Sequence, residues 1–387
     1  MQKRTSIVVG AIVAAAAAVA GITYAHTRSA AATPPKAATT KSPATTAELQ
    51  SVKVAIPVPG QATVDSTVPG EAGAPYEHMN HLAPIGVRTG KYLDVPDSAK
   101  GPAIDPAKGY RVEELGTGLY MITDNGYSSM FMVYETGVVL LDAPQPYASH
   151  ILAAVREITP KPISHIVYSH HHADHIAGTK GIGGNPVIIA HEETKRLLVE
   201  ANDPDRPLPT RTFKDKYTLD VGSQTLELSY HGVAHEPGNI FIYAPRQKVL
   251  MVVDTVFPGW MPWRRLALAQ DIRGVFRQLE ELKVIDFDKL VGGHVSRWGT
   301  KADVQVQLDF MKDLRSAAAT ALKTTKFTDE INPADAGNAW AAFDNFIDRV
   351  ANQCMNTLEP SWKTRLAGYD TFIWDQCYAM EQSLRID

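Results

Sequence analysis

The sequence predicts an α+β chain folded as a four-layer αβ/βα sandwich with a C-terminal helical extension, and three observations carry that expectation. Two β-rich stretches, 110–143 and 213–253, are each followed by helix and strand patterns, which suits two sheets with helices outside them better than a doubly wound sheet. Residues 301–387 carry only helical patterns. At 387 residues, 44% hydrophobic and 21% charged, the chain is too apolar for general disorder and long enough to bury a large core.

Taken in order, residues 1–25 combine Lys3 and Arg4 with an apolar run from Ile7 to Ile22 and small residues at Thr23 and Ala25. That is the pattern of a signal peptide or, if uncleaved, of an N-terminal anchor. Either way the body is expected to be exported, as a periplasmic, secreted or tethered protein, touching membrane only through this segment. Residues 26–59 are rich in Ala, Thr, Pro, Ser and Lys and read as a disordered linker. Residues 60–108, with many Pro and Gly, read as an irregular wrap; His78 and His81 there are solvated loop residues rather than ligands.

Three short strand patterns follow, at 118–123, 129–134 and 138–142, with Asn125-Gly126 and Thr136-Gly137 as turn signals between them. A helix at 149–158, a strand at 163–168, a strand at 187–190 and a helix at 192–201 come next. After the second β-rich stretch, with a strand at 249–253, the pattern gives a helix at 271–282 and a strand at 290–291. Helices at 303–319, 336–355 and 369–384 should cap the sandwich, shape a pocket mouth or make a homodimer contact. Cys354 and Cys377 lie in this tail, either bonded, as export would favour, or as two buried thiols. The domain reading is thus 109–300 for a catalytic body and 301–387 for the extension.

Charge argues against one class of partner. Lys plus Arg number 38 against 42 Asp plus Glu, a formal net charge of −4, and no basic run outside the extreme N-terminus follows a phosphate backbone. No nucleic acid is expected; the partner is a small-molecule substrate.

The chemistry resides in Ser169-His170-His171-His172-Ala173-Asp174-His175, directly after an apolar strand. His170 and His172 alternate toward one side while Asp174 and His175 sit on the following turn, so metal-capable groups converge; His171 is the member expected to point away. His235, Asp254 and His294 stand near strand ends further along. His191 reads as a helix-cap residue, His165 as a packed one. The glycines between 178 and 184 lack the Lys-Ser/Thr of a P-loop.

The spacing His170-x-His172-x-Asp174-His175, then His235, Asp254 and His294 in that order, resembles the metallo-β-lactamase-fold hydrolase superfamily over roughly 110–300. The resemblance implies two zinc ions, or other divalent metals. His170, His172 and His235 would hold one and Asp174, His175 and His294 the second, with Asp254 bridging and Asp142 supporting. It implies a metal-bridging hydroxide that attacks a carbonyl, with Asp174 as the catalytic residue orienting it and passing a proton.

Asp254 narrows the class, because β-lactamases of the superfamily lack an acidic bridge there while lactonases, glyoxalase-II-like thioesterases and phosphodiesterases have one. No basic substrate arm is visible, and residues 301–387 match no glutathione-binding pattern, so a lactone or carboxylic ester is the leading substrate. A β-lactamase-like or thioester hydrolase, and a mononuclear-iron persulfide dioxygenase, are the alternatives. Candidate pocket residues are Tyr127 on a meander turn and Trp260, Trp263 and Arg264 on the aromatic loop after Asp254. That loop has a second reading, packing onto the C-terminal helices.

Overall fold

The computed structural model describes residues 92–330 and 337–387. The signal or anchor segment, the linker and the wrap as far as residue 91 lie outside the described residues. The first sheet opens as an antiparallel meander of β1 (Arg111–Gly116), β2 (Leu119–Thr123), β3 (Ser128–Val133) and β4 (Val138–Leu141). Helix α1 (Ala148–Ile158) leads to β5 (Ile163–Val167), parallel to β4. Short helices α2 (Ala173–Ile176) and α3 (Thr179–Ile182) precede β6 (Val187–His191), and α4 (Glu192–Ala201) precedes β7 (Arg211–Phe213). Strands β5, β6 and β7 pair in parallel, so the sheet runs in chain order from β1 to β7.

The second sheet consists of β8 (Lys216–Val221), β9 (Gln224–Tyr230), β10 (Ile240–Ala244) and β11 (Val249–Val252), all antiparallel. Helix α5 (Ile272–Val284) then carries the chain to β12 (Lys289–Val291), which pairs parallel to β11 at the sheet edge.

Side-chain alternation sorts these strands into layers. Val139 and Leu141 of β4 meet Leu226, Ile242 and Met251 in a core between the sheets. Val138 and Leu140 point the other way, onto Ile151 and Val155 of α1. Strands β4 and β11 are buried along their whole length, which is why VVLL and VLMV read as unbroken apolar runs. Beneath the second sheet, Phe241, Leu250 and Val252 pack on α5 and on the tail helices α6 (Lys301–Thr324), α7 (Ala339–Trp362) and α8 (Tyr369–Ile386). Four layers result, helix, sheet, sheet and helix.

The tail is anchored at both ends of its sequence. Thr300 and Asp303 form a capping box at the start of α6. Cys354 and Cys377 are joined by a disulfide, Cα atoms 5.9 Å apart, that fastens α8 to α7. Among the described residues, no helix is long and apolar enough to cross a membrane.

Two features depart from the sequence reading. The meander has a strand more than expected, because Glu113 and Glu114 interrupt the apolar alternation of β1, an edge strand with one face in solvent. Residues Arg265–Leu268 form a left-handed turn, with φ between 52 and 58° at four consecutive non-glycine positions. Each such residue is disfavoured by about 1–2 kcal/mol because Cβ approaches the following carbonyl oxygen.

Candidate metal centre

The sequence-selected ligand candidates lie at element ends or in the loops that join them, and the two sheets bring these segments together. His170 and His172 occupy the loop between β5 and α2, and Asp174 and His175 fall in the first turn of α2. His235 lies between β9 and β10, Asp254 just past β11 and His294 just past β12. His170, His172, His235 and Asp254 offer donor atoms that all lie within 4.8 Å of one another, and so do those of Asp174, His175 and His294.

The separations have the size a cation imposes. A tetrahedral ion with bonds of about 2.0–2.1 Å spaces its donors about 3.3 Å apart. His235 Nε2 stands 3.0 Å from His172 Nδ1 and 3.2 Å from Asp254 Oδ2, and His170 Nε2 stands 3.5 Å from that same oxygen. In the second set, His175 Nε2 is 3.1 Å from His294 Nε2, and each is 3.5 Å from Asp174 Oδ2. Asp254 faces both sets, its Oδ1 3.1 Å from His294 and its Oδ2 3.3 Å from His175. His170 Nε2 and Asp254 Oδ1 are buried without a hydrogen-bond partner, an arrangement that is costly unless something else fills their lone pairs. These residues fit a divalent cation.

Two of the outer nitrogens have partners, and a carbonyl partner fixes the tautomer of His235. His235 Nδ1 donates to the Ala267 carbonyl at 2.7 Å, and His170 Nδ1 lies 2.9 Å from Ser169 Oγ. Asp142, fully buried just past β4, accepts the Ser169 backbone N–H at 2.7 Å and so holds the start of the histidine loop. Asn239 Nδ2 donates to the Val253 carbonyl at 2.9 Å beside Asp254. The turn before β3 grips the last ligand candidate: Ser128 N–H donates to Gly293 O at 2.8 Å, and Tyr127 pairs with His294 in a bridge.

The electrostatics are those of carboxylates awaiting positive charge. Burial alone would raise the Asp254 pKa, yet His175, His294 and His235 hold it well below the usual carboxylate range. Burial would lower His294, but Asp254 and Asp174 push it up to about 10. His170, deeply buried among other imidazoles, is held well below the ordinary value, so its lone pair is free at neutral pH. Burial, followed by Asp174 and Asp254, raises Tyr127 to about 12 and keeps its phenol protonated.

Among the pocket candidates, only Tyr127 stands beside the cluster, its ring centroid 4.7 Å from that of His294 and 5.9 Å from that of His175. Trp260 donates Nε1–H to Ala99 O and bridges to Ala367. Arg264 is paired with Asp375 of α8 at 2.7 Å, and Trp263 O accepts from Gln376. From Trp260 to Arg264 the aromatic loop packs onto the tail, while the Phe257 ring at its start lies 6.3 Å from that of His294. His191 caps α4, accepting the Glu193 N–H, and His231 is paired with Glu281.

Sequence reasoning passed over Glu236. It is fully buried, accepts the His171 N–H at 3.0 Å, contacts the His171 ring, and lies 3.4 Å from His172 Nε2. His171 thus turns to a carboxylate rather than to Asp254, and the outer nitrogen of His172 is oriented. An acidic residue directly after His235 was the available signal.

A strand-end cluster of five histidines and two aspartates on an αβ/βα sandwich defines a metal-dependent hydrolase that binds divalent metal. Residues 122–294 match the family described as the Metallo-beta-lactamase superfamily. The 2,4-dinitroanisole O-demethylase subunit alpha of Nocardioides sp. (strain JS1661) is 24% identical over 295 residues, covering 72% of this chain and 80% of that protein. Similar solved structures include a metallo-beta-lactamase from Pontibacter korlensis, 20% identical with a TM-score of 0.46, covering 52% of this chain and 99% of that one. Another is the metallo-beta-lactamase IND-7, 19% identical with a TM-score of 0.45, covering 52% of this chain and 98% of that one.

Proposed function

We propose that the chain is an exported dinuclear-zinc hydrolase that attacks the carbonyl of a lactone or carboxylic ester. The carrying observation is Asp254, whose carboxylate faces both donor sets at 3.1–3.5 Å. In this reading His170, His172 and His235 would hold one zinc and Asp174, His175 and His294 the other, with the Asp254 carboxylate available to both. Bound cations supply Lewis acidity and activate water near neutral pH. Asp174, held below its ordinary pKa against the opposing effect of burial by His294 and His175, is an ionised acceptor that takes a proton from the attacking water and returns it to the departing oxygen. Tyr127, protonated beside His294, donates to the substrate oxygen on which negative charge develops.

Export is supported by the N-terminal pattern and by the Cys354–Cys377 bond, since disulfides persist in oxidising compartments. The site takes a small molecule, with no nucleic acid. A second reading has one observation behind it: the O-demethylase relative points to hydrolysis of an activated aryl methyl ether at the same centre.

The test is metal analysis followed by a panel of lactones, aryl esters, thioesters, β-lactams, phosphodiesters and nitroaryl methyl ethers. Two zincs per chain with lactone or ester turnover that Asp174→Ala removes is the expected result. Ether cleavage alone selects the second reading, and one iron with oxygen uptake replaces hydrolysis by a dioxygenase. Turnover untouched by Asp174→Ala would overturn the proton-transfer role.

A further inference from the structure

We propose that Gln376 on α8 is a positioning residue for the metal centre, acting through the left-handed turn Arg265–Leu268 to fix the imidazole of His235. The inference rests on the reading of His235 as a metal ligand. Left-handed backbone at four successive L-residues persists only where the surroundings over-determine it. Here one fully buried amide does so. Gln376 Oε1 accepts the Leu266 N–H at 2.6 Å, while Nε2 donates to the Trp263 carbonyl at 3.1 Å and to that of Pro262. Its neighbours on α8 flank the same turn: Asp375 pairs with Arg264, and Tyr378 lies under the Arg265 guanidinium, 5.6 Å from its ring centroid.

The turn delivers a single group to the site. Its Ala267 carbonyl accepts from His235 Nδ1 at 2.7 Å, with both residues buried. That bond makes Nδ1 the protonated nitrogen and leaves the Nε2 lone pair facing His172 and Asp254. A right-handed turn would aim this carbonyl elsewhere and free the ring to rotate. Gln376 adjoins Cys377, whose disulfide to Cys354 holds α8 against α7. Support for the centre therefore comes from the tail helices, beyond residues 122–294 that match the family.

The experiment compares the full chain with Gln376→Met, Gln376→Glu and Gln376→Met combined with Ala267→Gly. Zinc affinity is read by competition with a chromophoric chelator, fold by circular dichroism and thermal unfolding, and the His235 ring N–H by 15N NMR of the metal-free protein. Gln376→Met should raise the zinc dissociation constant about 10-fold and make the His235 Nδ1–H exchange with solvent. Adding Ala267→Gly should recover part of the affinity, because glycine adopts the left-handed turn without the clamp. Should Gln376→Met not fold, Gln376→Glu carries the same comparison, since it keeps the Leu266 contact and loses both carbonyl contacts. A lowered unfolding temperature with unchanged zinc affinity and an intact Nδ1–H in the folded variants would mean a purely structural role and overturn the proposal. A wild-type chain that takes up no divalent metal would instead overturn the underlying metal-centre reading, and this inference with it.

Discussion

Replacing Asp142 by Asn separates its electrostatic cost from its structural role. Burial, opposed in part by His175 and by the Ser169 hydrogen bond, raises its carboxyl from 3.8 to about 6. Between those values the folded chain keeps a proton that the unfolded chain has released, so stability falls as pH rises through that window. The full penalty at pH 8 is about 3 kcal/mol, and at pH 5 about half of it. Asn keeps the acceptor for Ser169 but places an NH2 group where Asp142 Oδ2 has no hydrogen-bond partner, a pH-independent cost of about 1–3 kcal/mol. The discriminating quantity is therefore a difference. In urea unfolding of the chelator-treated protein, Asp142→Asn should gain about 1.4 kcal/mol relative to wild type between pH 5 and pH 8. Adding divalent metal should erase that gain, because nearby cations favour the ionised carboxylate. Equal effects of the substitution at both pH values would refute the reasoning.

Gly293→Ala should destabilise by about 2–4 kcal/mol in denaturant titrations and reduce bound metal. The added Cβ would lie 2.5 Å from Val253 Cγ1 and 3.2 Å from His175 Cε1, at a backbone φ of +82°. Glu236→Gln should leave the fold intact and weaken zinc 10- to 100-fold in chelator competition, since it loosens the orientation of His172; unchanged affinity would remove Glu236 from the centre's support. Replacing both Cys354 and Cys377 by Ser should cost about 3 kcal/mol of stability by the loop-closure argument, checked by unfolding with and without reductant.

Much of the frame was legible because burial repeats along these strands. β4 and β11 announce themselves as apolar runs, and the order of His170, His235, Asp254 and His294 follows the order of element ends that meet in space. The supporting role of Asp142 came from the family resemblance alone, and its donor, the Ser169 N–H, lies on another strand's end. What escaped depends on partners remote in sequence. Arg264-Arg265-Leu266-Ala267-Leu268 contains no glycine to signal a left-handed turn, and its support comes from a side chain 110 residues away. Arg264 read as available for substrate because nothing local reveals Asp375.

Three of the described residues with left-handed backbone stand where the strands run into the candidate site. Asp142, Asp254 and Val295 all take positive φ, at 63, 59 and 66°, and Val295, a β-branched residue, follows His294 directly. Each position costs about 1–3 kcal/mol and persists only if surrounding contacts over-determine it. Those contacts are present: Asp254 N–H donates to Gly292 O at 3.1 Å and Val295 N–H to Gly126 O at 3.1 Å. A strand continued in extended geometry would alternate its side chains between the two faces of its own sheet. A left-handed residue at the strand end breaks that alternation, so Asp254 turns out of β11 toward histidines carried by the other sheet. The sandwich provides rigid strand ends, the reversed residues redirect their side chains, and the gathered carboxylates and imidazoles favour a cation that offsets the strain of assembling them.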